Sequence, residues 1–352
     1  MINRFIPSVI FAVLFLCPVF ASAQSVTMPL HWDILAQREQ DSNISFRGIA
    51  AVSKNEAWVS GNKGRIYHTS DGGASWASVS VNDSLDFRDI ELLPDGSLIA
   101  MSAGPGGLSG VYQSVNNGIS WKLTNQNTSS EAFYNGMAFH DSQLGYLVGD
   151  PVNNHLFVLQ TLDGGRNWQR VRSTKLPGPV PGEYGFAASG TGIINWEQNF
   201  WMVTGGSTAR IIHFSVRSDE WHAGTLPLLS GNSSSGAFSV AFADDQNGVV
   251  VGGDYASPEK KGKTVAYTRD GGKSWKLAEN HKEIGYHSCV VYSAALNIYV
   301  AVSRSGKSIY SQDGGISWSD FGTIKLYSLS VSEDGTVWGA GPKGTIARLK
   351  TK

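Results

Sequence analysis

The stretch "TSDGGASW", Thr69–Trp76, decides how the rest of the chain reads. Its pattern, Ser/Thr-x-Asp-x-Gly-x-x-Trp, returns at Thr161–Trp168, Thr268–Trp275 and Ser311–Trp318. Ser114–Trp121 keeps it with Asn116 in place of the acid. "SVRSDEW", Ser215–Trp221, is a decayed copy one residue shorter. The closing tryptophans, at 76, 121, 168, 221, 275 and 318, stand 45, 47, 53, 54 and 43 residues apart. A period of roughly 40–50 residues with no helical pattern is the signature of a β-propeller.

Each repeat divides alike. In the first, "FRGIAAVS", "AWVSG", "RIYHTS" and "SWASVSV" are four short apolar-rich strands separated by turn residues. Further inner strands open at "FRDIELL", "YNGMAFH", "YGFAASGTGII", "FSVAFA" and "YHSCVVY". A seventh unit, "YSLSVSEDGTVWGAGPKGTIARL", supplies three strands and stops; its Trp338 answers Trp58. The orphan segment His31–Leu35 is expected to provide the missing outer strand against the blade containing Lys343–Leu349. That pairing removes two sheet edges and closes the ring. The expectation is an all-β, seven-bladed propeller with four-stranded blades in one domain, residues 24–352.

The repeated turn reads as folding punctuation. Its Asp can accept backbone N–H groups, its Gly residues tolerate positive φ, and its Trp buries a large surface between sheets. Asp71, Asn116, Asp163, Asp270 and Asp313 are therefore expected to be structural rather than catalytic or metal-binding.

Residues 1–23 read as a secretory leader. Arg4 precedes an apolar run over Val9–Phe20, and "ASA" places cleavage after Ala23. Cys17 follows Leu16 where a lipoprotein site takes a small residue, which argues against lipidation. No other stretch is long and apolar enough to span a bilayer. Removal of the leader leaves Cys289 alone, so no intrachain disulfide is available at the expected exported, periplasmic or secreted, location. The formal net charge of −1 gives no general attraction to nucleic acid. No HExxH or CxxC occurs, and "SAGPGGLSG" is followed by no helix, so neither a metal nor a cofactor is expected.

The "TSDGGASW" copies resemble Asp-boxes, also called bacterial neuraminidase repeats, which are specific for fold rather than function. The fuller pattern, "FRDI" leading to "GYLVGD" and then to Thr-x-Asp-Gly-Gly-x-x-Trp, resembles the photosystem II stability and assembly factor family over roughly His31–Leu349. The resemblance implies a seven-bladed propeller that binds protein partners and has no established catalysis.

Within a blade, the start of the inner strand and the loop between the second and third strands share one rim. The Asp-box turns lie on the opposite face. After each leading aromatic the rim carries Arg47, Arg88, Asn135, Ala187, Ser239, His287 and Ser328. The returning loops add Asp150, Arg210, Asp254 and Tyr255. Arg47, Arg88 and Arg210 suggest a cationic mouth for an anionic group, an acidic side chain or terminus of a protein partner or a small carboxylate. The competing reading is that they pair with Asp89, Asp150 or Asp254 and only line the channel. His287 is a candidate base or anion donor. The three arginines also invite comparison with sialidases, so a secreted Asp-box glycoside hydrolase is the alternative. The sialidase Phe/Tyr-Arg-Ile-Pro segment is absent after residue 23, and those enzymes have six blades.

Overall fold

The computed structural model describes residues 28–36 and 41–351. The expected leader and its cleavage site lie outside them. Seven antiparallel sheets follow one another around an axis. Blade one comprises Phe46–Ala51, Ala57–Gly61, Arg65–Thr69 and Ala77–Ser80. Blades two, three, five and six repeat this order from inner strands Phe87–Leu92, Tyr134–Phe139, Ser235–Phe242 and Cys289–Ser293. The sheets stack through apolar side chains. Trp201 and Val203 of blade four, for example, pack with Val240, Phe242 and Val250 of blade five. Among the described residues, no helix is long and apolar enough to cross a membrane.

The ring closes as the three-stranded last repeat requires. Leu30–Ala36 pairs antiparallel with Ile346–Thr351, His31 facing Lys350 and Trp32 facing Leu349. Blade seven is thus built from both ends of the chain.

Blade four departs from expectation. Its inner strand is Ile193–Trp196, not a strand beginning at Tyr184. Glu183–Tyr184 instead pairs with Gly205–Gly206, and Gly205 pairs in turn with Gly236 of blade five. The intervening segment makes room for a neighbour. A Cβ at Gly190, where φ is +78°, would sit 2.5 Å from Asp89 Oδ1.

The Asp-box turns are wired identically. The Thr69 hydroxyl donates to Asp71 Oδ1 at 2.9 Å and accepts the Gly73 N–H at 2.9 Å. The Ser75 N–H and hydroxyl donate to Asp71 at 2.9 and 2.6 Å, and Trp76 Nε1 donates to the Gly73 carbonyl. Those Ser75 bonds hold the Asp71 carboxyl at about 2, and Ser274 does the same for Asp270. Asn116 completes the circuit by reversing one bond: its Nδ2 donates to Ser120 Oγ at 2.9 Å. Asp313 accepts from Ser311 and Ser317 in the same manner. In each of these turns the Asp or Asn side chain is held by groups of the turn itself. Asp163 accepts from Thr161 and from both the backbone and side chain of Asn167. Replacing Asp163 by Ala should destabilise the protein by about 1–3 kcal/mol through the unmet donors. Chemical unfolding measures this loss; an unchanged midpoint would refute the role.

Candidate functional site: the channel and its two mouths

The inner strands enter the ring on the rim opposite the Asp-box turns. At that entry blades one to three carry a bulge. Register shifts between Phe46 and Gly48, between Phe87 and Asp89, and between Tyr134 and Gly136. A bulge re-aims the extra side chain. Here the re-aimed residues are Arg47, Arg88 and Asn135, while Phe46, Phe87 and Tyr134 anchor the strand in the core, each at most 1% exposed.

In the later blades the rim register differs by one residue from the sequence alignment. In blade five the shift falls between Ala237 and Ser239, so Phe238 is the bulged residue. In blade seven Ser328 pairs with Ala340 as Gly48 pairs with Ser60, which puts Tyr327 in the position of Arg47. In blade six His287 takes the anchor position. Its N–H bonds the Gly252 carbonyl of the preceding blade, as the Phe46 N–H bonds Gly341. His287 is 1% exposed, its Nδ1 lies 3.1 Å from the Gly285 carbonyl, and its Nε2 has no partner. Burial pulls its pKa down to about 4, so it is neutral at physiological pH. His287 stands in for an anchor aromatic and is not part of the cationic mouth.

Arg47 and Arg88 do converge. Arg88 donates Nε and Nη2 to Asp86 Oδ2 at 2.9 and 2.8 Å, and Nη1 to the Ala187 carbonyl at 3.1 Å. Its acidic partner is thus Asp86 rather than Asp89. Arg47 has no hydrogen bond or ion pair among the described residues. Its guanidinium lies 4.5 Å from the centroid of the Tyr327 ring. Burial, and then the charge of Arg88, lower its pKa below the usual guanidinium value. A half-buried cation without a carboxylate is a group that an incoming anion would stabilise.

Arg210 is separate. It donates to Glu183 Oε2 at 2.8 Å and to the Gly178 carbonyl, and Glu183 also accepts the Thr204 hydroxyl at 2.6 Å. This buried pair locks the entry to blade four. Asp150 accepts from Asn135 Nδ2 at 2.8 Å and from the Gly185 N–H, and burial raises its pKa. Asp254 closes a turn by accepting the Ala256 N–H and Asn232 Nδ2. Tyr255, 39% exposed, packs edge-on against Phe186 and Phe238, which stack on each other at 3.9 Å. Tyr286 meets Phe238 edge-on and feels the charge of Arg47. The same rim therefore carries two arginines with an aromatic wall, Phe186, Phe238, Tyr255, Tyr286 and Tyr327. That wall was obscured by the one-residue register difference.

Toward the Asp-box face the channel widens into a cavity of about 1190 Å³, with no Lys, Arg or His in its lining. Asp89 stands at its narrow end, 4% exposed, with Oδ2 accepting the Met137 N–H at 2.9 Å. Burial raises its pKa to about 7. Glu91, two residues along the strand and so on the same face, is pushed well above the usual carboxylate range by burial and by Asp89. The two ends of the axis are thus opposite in chemistry, cationic at the entry and acidic within. Among the described residues, no group of three or more His, Cys, Asp or Glu side chains could hold a metal ion.

A profile of the BNR/Asp-box repeat matches residues 309–320, the blade-six turn. The chain is 25% identical over 231 residues to the photosystem II assembly lipoprotein Ycf48 of Synechococcus sp. (strain CC9902). That match covers 63% of this chain and 58% of the length of the relative. The solved structure titled YCF48 bound to D1 peptide superposes with a TM-score of 0.64 at 14% identity, covering 92% of this chain and 97% of that one. YCF48 from Cyanidioschyzon merolae gives 0.63 at 13%, covering 90% and 98%. A streptogramin B lyase gives 0.64 at 11%, covering 92% and 98%, so this architecture carries chemistry in some proteins and binding in others. Repeat, blade count and sequence likeness agree: the chain is a seven-bladed Asp-box propeller similar to photosystem II assembly factors of the Ycf48 type.

Proposed function

We propose that this protein is an exported, non-enzymatic scaffold that binds a segment of a protein partner at the rim carrying Arg47 and Arg88. The observation that carries this reading is the Arg47 guanidinium, half-buried, stacked on Tyr327 and bonded to no carboxylate. A carboxylate of the partner, from an acidic side chain or a chain terminus, would complete it through two parallel bonds. Beside it Phe186, Tyr255 and Tyr327, backed by the buried Phe238 and Tyr286, offer rigid aromatic surface to the neighbouring side chains of the same segment. A relative solved with a peptide bound supports a protein ligand over a small molecule. For export, the expected leader ending in Ala-Ser-Ala favours a released protein, although the Synechococcus relative is named a lipoprotein. The hydrolase alternative has less to rest on: Arg210 is engaged by Glu183, and Asp150 and Asp254 are each held by local hydrogen bonds.

The test is binding to a peptide library presented with free and with amidated C termini, alongside affinity capture from the native envelope. Wild type should select carboxylate-bearing peptides. Arg47→Ala/Arg88→Ala should bind them at least tenfold more weakly, about 1.4 kcal/mol. Raising the salt concentration should weaken the wild-type encounter as well. Equal affinities for both proteins at both ionic strengths would mean that the arginines only line the channel.

A further inference from the structure

Blade four is the blade whose Asp-box has decayed, and its turn contains the short "SVRSDEW". On the Asp-box face beside it, between blades four and five, lies a groove of about 290 Å³. That volume is near the lower end of small-molecule sites, roughly 300–1,000 Å³. Its floor is aromatic. His213 stacks on Trp201 with centroids 4.0 Å apart, and Trp201 stacks on Phe242 at 4.7 Å. Trp196 forms a partly exposed wall, pinned by its Nε1 donating to Asp245 Oδ1 at 3.2 Å.

The edges of the groove hold polar groups that the fold leaves unused. His213 Nε2 lies 2.8 Å from Asn199 Oδ1, which orients that amide and leaves its NH2 free. Asp245 Oδ2, the Ser215 hydroxyl and the Arg217 guanidinium line the same groove and have no partner among the described residues. Blade one provides an internal comparison. The pair Trp58–His68 stacks there at 3.9 Å in the same way. Glu56, in the position of Asn199, pairs with His68 at 3.0 Å, and a full Asp-box occupies the turn. The aromatic pair is therefore part of the repeat, whereas the open groove with free polar edges belongs to blade four.

We infer that this groove is a saccharide-binding site, taking a neutral mono- or disaccharide unit with its apolar ring face on Trp196 and its hydroxyls on Asn199, Arg217 and Asp245. A sugar ring presents C–H groups on its faces and hydroxyls around its edge, which matches an aromatic surface bordered by donors and acceptors. The charges favour a neutral ring over an acidic one. Arg217 stands with Asp245 and Glu197 in the lining, and burial holds His213 at about 4 and hence uncharged. The site lies on the opposite face from Arg47 and Arg88, so the two ligands are independent.

The experiment is a glycan array probed with the whole protein. Tryptophan fluorescence titration with cellobiose, maltose, N,N′-diacetylchitobiose and digalacturonate follows. A neutral sugar should bind saturably, and Trp196→Ala should weaken it at least tenfold. Asp245→Ala, at an exposed turn, should weaken it severalfold in a variant of unchanged melting temperature. Arg47→Ala/Arg88→Ala should bind the sugar as wild type does. Absence of binding across the array, preference for the uronate, or binding that survives both groove variants would each overturn the assignment.

Discussion

A variant lacking residues 24–36 should melt at least about 7 °C below wild type, the largest effect expected of any change discussed here. The strand Leu30–Ala36 is the outer edge of blade seven, and its partner Ile346–Thr351 would become an exposed edge. Leu30 is 6% exposed and packs with Leu326, Ala347 and Leu349. Losing one such side chain removes about 1.5–3 kcal/mol. The strand also binds blade six, since Trp32 Nε1 donates to Ser308 Oγ at 2.9 Å and its ring packs 5.9 Å from Phe321. The Met28 N–H donates to the Tyr310 hydroxyl. With the ladder bonds added, a loss of at least about 5 kcal/mol is expected, and in a chain of this size each kcal/mol moves the midpoint by about 1.5 °C. The bare edge should also promote association. Calorimetry and light scattering on the two proteins check both outcomes. A truncated protein with the wild-type midpoint would mean that closure contributes nothing.

That closure was legible in the sequence because a missing strand and an orphan strand are both visible in a repeat. The Asp-box turns were legible for the same reason: each is a local circuit, complete within eight residues. What sequence did not supply was anything fixed by non-local register. His287 follows an aromatic in "GYHSC" just as Arg47 does in "SFRGI". The resemblance is broken by the bulge, which depends on pairing across the blade, and not by local residue type. Blade four resisted for a second reason. Its entry passes around the Asp89 carboxylate, a side chain from blade two, and no feature of "GFAASGTG" announces that neighbour. The aromatic wall beside the arginines and the groove at Trp196 are likewise products of inter-blade packing. One signal of the channel's chemistry is local. Asp89 and Glu91 stand in "FRDIEL" where blade one has Gly48 and Ala50 in "FRGIAA". An acid in place of Gly at an inner-strand position is chemistry added to the channel.

Asp89→Asn should make the protein more stable than wild type at pH 8 and leave it nearly unchanged at pH 4. The carboxyl has a folded-state pKa of about 7, raised by burial, against about 3.9 in an unfolded chain. Between those values the folded protein holds a proton that the unfolded chain has released. Stability therefore falls as pH rises through that window, and the loss is complete above pH 7. The loss is on the order of a few kcal/mol. Asn keeps an oxygen for the Met137 N–H and cannot ionise, so the main native contact survives the substitution. Other titratable groups facing the channel have to be separated from this effect. Glu91 acts in the same direction, raised by burial and by Asp89, so Glu91→Gln should also give a gain at pH 8. Asp334 acts oppositely and at lower pH, because hydrogen bonds from Ser332, Thr336 and the Lys54 N–H hold it below the usual range. Tyr292 and Glu333 complete the set in the lining. Denaturant unfolding of wild type and both variants at pH 4 and pH 8 reads the result. Parallel pH profiles for wild type and Asp89→Asn would show that Asp89 is ionised in the native state at neutral pH.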